Sequence, residues 1–332
     1  MKHLTVIVPN GKTVLDSIVA TYMLLKRADH YWQQIGNDPK FNVELAGITK
    51  EVSLYSGLFS IHPRLSITEI TKTDLIIIPA FQPVADFSEF IRMNEKITAW
   101  ILKQYKSGAD VVSLCTGAFL LASTGLLDGK SCSTHWAAAG EFRKMFPKVN
   151  LVTDKIITDE HGIYTSGGAF SFLNFLLYLV EKYYNRQTAI FCSKFFEIDF
   201  DRHSQSPFAM FGTQKNHNDE AIKEAQSYLE NNFSEKISME NLASSFAIGR
   251  RNFDRRFKKA TGNTPLEYLQ RIKIEAAKKY FESTRKSIKE VMYEVGYSDL
   301  KAFRTIFRKI TGLSPVQYRN KYNCENAVNF TI

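Results

Sequence analysis

Short apolar runs alternate with helix-compatible segments over the first part of the chain. Leu4–Val8, Val43–Ile48, Leu75–Ile78 and Val111–Leu114 are rich in Val and Ile and bounded by turn residues, the pattern of strands buried on both faces. Val14–Arg27 and Phe87–Ser107 lie between them and predict helices. Such alternation predicts an α/β domain, a parallel sheet with helices on both faces. Lys155–Thr158 and Ile163–Thr165 flank Asp159-Glu160-His161-Gly162 and predict a hairpin, and Phe170–Tyr184 predicts a largely buried helix after Gly167-Gly168. From Asp199 to Asn218 the pattern lapses into a polar stretch with Pro207 and Gly212, the composition of a linker. Everything beyond it carries helical periodicity.

That last part contains a duplication. Phe253, Phe257, Thr261, Gly262, Pro265 and Tyr268 recur as Phe303, Phe307, Thr311, Gly312, Pro315 and Tyr318, each 50 residues on. Two copies are too few for a solenoid and predict two copies of one small helical unit. In the first, Met239–Phe246 is a short helix with Ser238 as N-cap, Ala247-Ile248-Gly249 is the turn, and Arg250–Ala260 is a second helix ended by Thr261-Gly262. In the second, Ile288–Val295 leads through Gly296-Tyr297-Ser298 into Asp299–Ile310, ended by Thr311-Gly312. Phe253, Phe257 and Ala260 form one apolar stripe, as do Phe303, Phe307 and Ile310.

Charge sharpens this picture. The 332 residues carry a net charge of +9, and the excess is local. Residues 219–332 hold 21 Lys+Arg against 14 Asp+Glu, while residues 1–218 hold 22 against 20. Opposite the first stripe stand Arg250, Arg251, Asn252, Arg255, Arg256 and Lys259; opposite the second stand Lys301, Arg304, Arg308 and Lys309. An apolar back with a basic face suits a helix lying in a major groove, where Arg reads guanine edges and Lys neutralises phosphates.

Four cysteines, none spaced as CxxC, exclude a disulfide framework or zinc ribbon and leave a reducing cytoplasm as the expectation. No apolar stretch is long enough for a membrane span. The seven histidines lack ligand-like spacing, so neither metal nor cofactor is expected. Cys115 stands out, because Ala109–Leu114 runs as a strand directly into Cys115-Thr116-Gly117 and a helix. That is the shape of a nucleophile elbow, and a helix N-terminus favours a thiolate. The aromatic cluster Phe191, Phe195, Phe196 and Phe200 reads as core or a dimer contact.

Two family resemblances rest on these residues. Residues 219–322 resemble the AraC/XylS-type DNA-binding domain through Ala243, Phe253, Phe257, Thr261-Gly262, Pro265, Tyr268, Arg271, Ala276-Ala277, Val295-Gly296-Tyr297-Ser298, Phe303, Phe307, Gly312, Pro315 and Tyr318-Arg319. The resemblance implies two helix-turn-helix units joined by a long helix at about Pro265–Ser283. It implies base-reading positions at Arg251, Asp254 and Arg255, and at Leu300, Lys301, Arg304 and Thr305. Asp254 departs from the uncharged polar residue expected there; it either accepts from a cytosine amino group or pairs with a neighbouring Arg.

The run from Leu114 to Lys130, with Ser133-Thr134-His135-Trp136 and Tyr164–Gly168, resembles the PfpI/ThiJ-like branch of the class I glutamine amidotransferase-like fold. With an AraC-type domain behind it, the whole resembles the GlxA-like regulators. The resemblance implies a flavodoxin-like parallel-sheet sandwich over residues 1–198, a linker over 199–218, an all-α DNA-binding domain over 219–322 and a tail over 323–332. Hydrolytic members of the fold often have His directly after the Cys; here that residue is Thr116. The expected pocket comprises Asp16, Ala80, Cys115, Thr116, Gly117 and His135, at the C-terminal ends of the strands.

The implied protein is a transcription regulator that binds promoter DNA as a homodimer and can contact RNA polymerase, its N-terminal domain sensing a small-molecule effector or mediating dimerisation. The competing expectation is an amidase or glyoxalase-like enzyme acting through Cys115.

Overall fold

A computed structural model describes residues 1–82, 87–200, 202, 204–212, 214–215 and 217–323. His203 and Cys324 lie outside the described residues. The chain divides into two compact units after Gln205.

The first unit is built on a seven-stranded sheet in the spatial order Ile157–Glu160, Ile163–Ser166, Asp110–Leu114, Leu75–Ile78, Lys2–Val8, Phe41–Gly47 and Leu65–Ser66. All neighbours are parallel except the edge pair Ile157–Glu160 and Ile163–Ser166. Alternation along each strand decides which side chain enters which layer. Val6, Val8, Ile77, Val112 and Leu114 pack under the helices Leu15–Gln34, Phe172–Tyr183 and Arg186–Phe196. Ile7, Ile76, Ile78 and Val111 face the helices Glu95–Lys106, Ala118–Ala122 and Ala139–Met145. The doubly covered α/β sheet is therefore as expected.

Two details differ. The segment expected as one helix over Phe87–Ser107 is broken into Phe87–Met93 and Glu95–Lys106. The intervening Asn94 is fully buried, and its amide accepts from Asn10 N–H at 2.8 Å and donates to the Asn10 carbonyl at 3.1 Å and the Phe90 carbonyl at 2.9 Å. A buried amide that serves another segment's backbone competes with helix continuation. The helix Arg186–Phe196 was not anticipated; it is capped by the Asn185 side chain, which accepts from Thr188 N–H at 2.8 Å.

In the second unit the helices are Glu220–Asn231, Met239–Ser245, Arg250–Thr261, Pro265–Ser283, Ile288–Glu294, Leu300–Thr311 and Pro315–Tyr322. The long helix Pro265–Ser283 serves two cores. Tyr268 and Leu269 pack with Phe253, Phe257, Ile222 and Leu229. Ile274, Ala277 and Phe281 pack with Phe303, Phe307, Val291 and Tyr318. Thr264 with Glu267 and Ser314 with Gln317 form reciprocal capping boxes ahead of Pro265 and Pro315. Ala260 and Ile310, expected in the buried stripes, are only half-buried. Thr261 and Thr311 take the buried positions beside them, their hydroxyls donating to the Phe257 and Phe307 carbonyls at 2.9 and 2.8 Å.

Candidate functional site

The two helix-turn-helix units share several specific contacts. Phe257 meets Tyr268 edge-on at 5.3 Å, and Phe307 meets Tyr318 at 5.5 Å. Tyr268 donates to Glu230 Oε1 at 2.7 Å, and Tyr318 donates to Glu282 Oε1 at 2.5 Å. Both second helices end on a left-handed glycine, Gly262 and Gly312, each at φ 74°. Ser238 caps the first helix of the first unit, accepting from Asn241 N–H at 3.3 Å. The corresponding cap in the second unit is Ser287, which accepts from Glu290 N–H at 3.3 Å. These matched anchors hold Arg250–Thr261 and Leu300–Thr311 with their apolar faces buried and their basic faces outward.

The outward residues divide by their partners. Arg251, Asn252, Arg255 and Lys259 are exposed on the first helix, as are Lys301, Arg304, Thr305 and Arg308 on the second, while Leu300 is half-buried. Arg251, Arg304 and Arg308 make no ion pair among the described residues. Arg255 donates to Asn252 Oδ1 at 2.9 Å. Asp254 is already engaged: both its oxygens accept from Arg250 Nε at 3.0 Å, and Arg250 also meets Glu240 at 2.9 Å. Arg256 forms a bidentate pair with Asp219 at 2.7 and 3.0 Å, and Asp219 caps the helix Glu220–Asn231. Hydrogen bonding to Arg256 holds the Asp219 carboxyl below its usual range. Arg250 and Arg256 thus brace the fold as well as contributing charge, which their sequence positions alone do not reveal.

In the first unit, Cys115 sits at the strand-to-helix junction with φ 54°, a left-handed conformation that costs a non-glycine residue energy. Its N–H donates to Ser166 Oγ at 3.3 Å, and its carbonyl accepts from Thr134 Oγ1 at 2.9 Å. Gly117 lets the elbow press on the adjacent strand end; a Cβ there would lie 2.6 Å from the Pro79 carbonyl and 2.8 Å from that of Ile78. Ser17, one residue beyond Asp16, accepts from Ala80 N–H at 3.1 Å, and Val14 N–H donates to the Ala80 carbonyl at 2.9 Å. The structure thereby gathers Asp16, Ala80, Cys115, Thr116 and Gly117.

His135 is held locally: its Nδ1 accepts from Ala137 N–H at 3.1 Å, and burial lowers its basicity. Its neighbour Thr134, together with Ser166, holds Cys115; both lie in segments that carry the family resemblance, but neither was assigned a role at the site from sequence, because hydroxyl residues carry no spacing signal.

The electrostatics oppose a thiolate at Cys115. Burial pushes its thiol up to about 11, and Asp16 adds to the rise, against weaker opposing bonds from Thr116. The helix-terminus effect anticipated for this position is outweighed by desolvation. Among the described residues, no group of three or more His, Cys, Asp or Glu is placed to hold a metal ion, and no helix is long and apolar enough to cross a membrane.

A cysteine elbow on an α/β sandwich, followed by tandem helix-turn-helix units whose second helices carry exposed basic residues, defines a two-part architecture. The DJ-1/PfpI family profile matches residues 4–182, more than half of the chain, and a helix-turn-helix domain profile matches residues 242–321. The chain belongs to the DJ-1/PfpI family, with a helix-turn-helix domain behind the family domain.

It is similar to the HTH-type transcriptional regulator GbdR of Pseudomonas aeruginosa, 28% identical over 227 residues, which is 67% of this chain and 60% of that protein. It is also similar to the HTH-type transcriptional regulator CdhR of the same species, 22% identical over 267 residues, or 80% of this chain and 78% of that protein. A solved Vibrio parahaemolyticus protein superposes with a TM-score of 0.52 at 22% identity, over 58% of this chain and 98% of that one, which supports the fold.

Proposed function

We propose that the protein is a sequence-specific DNA-binding transcription regulator. The observation that carries this reading is the repetition of the Phe–Tyr core contact, the Tyr–Glu bond and the glycine helix end in the two helix-turn-helix units, each presenting exposed basic residues on its second helix. Arg251, Asn252, Arg255 and Lys259 form the first reading surface, with Arg250 paired to Asp254 and Arg256 to Asp219 beside them. Leu300, Lys301, Arg304, Thr305 and Arg308 form the second. Similarity to regulators such as GbdR, of whose length the matched region spans 60%, supports the same role.

In this reading, residues 1–198 sense a small molecule or mediate a homodimer, residues 199–218 connect, residues 219–322 bind promoter DNA and can contact RNA polymerase, and the protein works in the cytoplasm. The pocket around Asp16, Ala80, Cys115, Thr116, Gly117 and His135 binds rather than reacts. A thiol pushed up to about 11 is protonated at neutral pH, and Thr116 stands where hydrolytic relatives of the fold often carry His.

Selection of full-length protein on a random duplex library tests the reading. Enrichment of one motif, lost in Arg251→Ala and Arg304→Ala, is the expected result. Recovery of unenriched sequence overturns it.

A further inference from the structure

Gln205 belongs to a polar stretch, yet it is 1% exposed. An unpartnered buried amide is costly, and here both polar atoms of the side chain are bonded. Nε2 donates to the Thr134 carbonyl at 3.0 Å and reaches the Lys155 carbonyl at 3.3 Å and Ser133 Oγ at 3.4 Å. Oε1 accepts from Trp136 N–H at 3.3 Å. Gly167 forms the floor: a Cβ there would lie 2.3 Å from Gln205 Nε2 and 2.6 Å from Ser133 Oγ. The backbone is fastened too, with Gln205 N–H donating to the Asp154 carbonyl at 3.0 Å and Ser204 bridging to Lys155.

Three acceptors on one side and one donor on the other describe the recess. A primary carboxamide, with two N–H donors and a carbonyl, satisfies both sides. A carboxylate sets lone pairs against the three acceptors, and a guanidinium leaves the Trp136 N–H facing another donor. The recess adjoins the cysteine elbow, because Thr134 also donates to the Cys115 carbonyl and Ser166, next to Gly167, accepts from Cys115 N–H. Gln205 is the last residue of the first unit, so whatever it holds is the start of the passage into the second.

We propose that Ser133, Thr134, Lys155 and Trp136 build a carboxamide-binding recess, closed here by the chain's own Gln205. A small molecule carrying a primary carboxamide competes for it and releases the segment that follows. This rests on the reading of the first unit as a small-molecule sensor. A tethered side chain acts at an effective concentration on the order of millimolar, so a minimal competitor acts at or above that range.

Hydrogen–deuterium exchange on the full chain tests this with propionamide as probe and propionate, which lacks the N–H donors, as its control. Gln205→Glu raises exchange in residues 204–212 by about tenfold or more, while Asp110–Leu114 and Ile163–Ser166 stay protected. Propionamide does the same to the unaltered chain, and propionate does not. In Gln205→Ala, propionamide slows exchange of the Trp136 N–H. The proposal is overturned if Gln205→Glu leaves residues 204–212 unchanged, if loosening spreads through the whole first unit, if the two probes act alike, or if propionamide leaves Trp136 in Gln205→Ala unaffected. None of these readouts involves DNA, so loss of the DNA-binding reading and loss of this one are separable.

Discussion

Thr116 and Phe81 exchange two hydrogen bonds: Phe81 N–H donates to Thr116 Oγ1 at 2.8 Å, and the Thr116 hydroxyl donates to the Phe81 carbonyl at 2.7 Å. The residue after the elbow cysteine is thus committed to the backbone of the loop beyond Leu75–Ile78. Thr116→Val keeps the shape and removes both bonds, leaving a buried N–H and C=O unpaired. Unfolding of the first unit is expected to become easier by about 2–4 kcal/mol, measured by denaturant titration, whereas Thr116→Ser, which keeps the hydroxyl, is expected to lose less than half of that.

The raised Cys115 thiol sets a pH dependence. Its pKa rises from an ordinary value of 9.0 to about 11, so the folded state binds the proton more tightly than the unfolded one. The associated stability is complete below about 9 and is lost as pH rises through about 11. Cys132 and Cys192, both pushed up to about 12 by burial, act in the same direction. Denaturation midpoints are expected to fall between pH 9 and 11, less steeply in Cys115→Ala. Iodoacetamide is expected to label Cys115 slowly at pH 7, and Cys115→Ser to leave DNA affinity unchanged. Rapid labelling at pH 7 contradicts the non-catalytic reading.

The pairs Tyr268–Glu230 and Tyr318–Glu282 predict a cost at both repeats, with Tyr268 also accepting from Gln226 Nε2 at 3.0 Å. Tyr268→Phe and Tyr318→Phe are each expected to cost about 1–2 kcal/mol in thermal unfolding of the second unit. A cost confined to one of them shows that the repeat is geometric only.

On the first reading helix, the free and braced arginines are expected to behave differently. Arg251→Ala relaxes specificity at one base pair by about 1–3 kcal/mol, while Lys259→Ala weakens all duplexes alike and reduces the salt slope by about 1. Asp219→Ala removes the cap of Glu220–Asn231, at about 1 kcal/mol, and frees Arg256. Competition binding with single-base variants of the selected motif distinguishes these outcomes.

Much of this was legible in the chain. Val/Ile runs marked the central strands because parallel strands are buried on both faces, and the 50-residue echo of Phe, Thr, Gly, Pro and Tyr marked the tandem units because those residues make the core and the helix ends. What escaped depends on side-chain partners distant in sequence. Asn94 breaks a helix through bonds to Asn10. Arg250 and Arg256 also pair with Asp254 and Asp219, which their place in the basic face does not show. Thr134 holds the Cys115 carbonyl, a role no local pattern marked. Gln205 lies in a stretch whose polarity signals exposure, and its burial follows from acceptors contributed by Ser133, Thr134 and Lys155, which no local pattern encodes.

The most direct measurement is the affinity of the full chain for its selected duplex and for a scrambled duplex between 50 and 300 mM salt, roughly the range over which phosphate contacts dominate affinity. The expected result is a steep fall, with a log–log slope near −0.9 per phosphate contact. It comes with a preference of about a thousandfold or more for the selected sequence. Equal affinity for both duplexes, or a slope near zero, contradicts the assignment of the two basic helix faces to DNA.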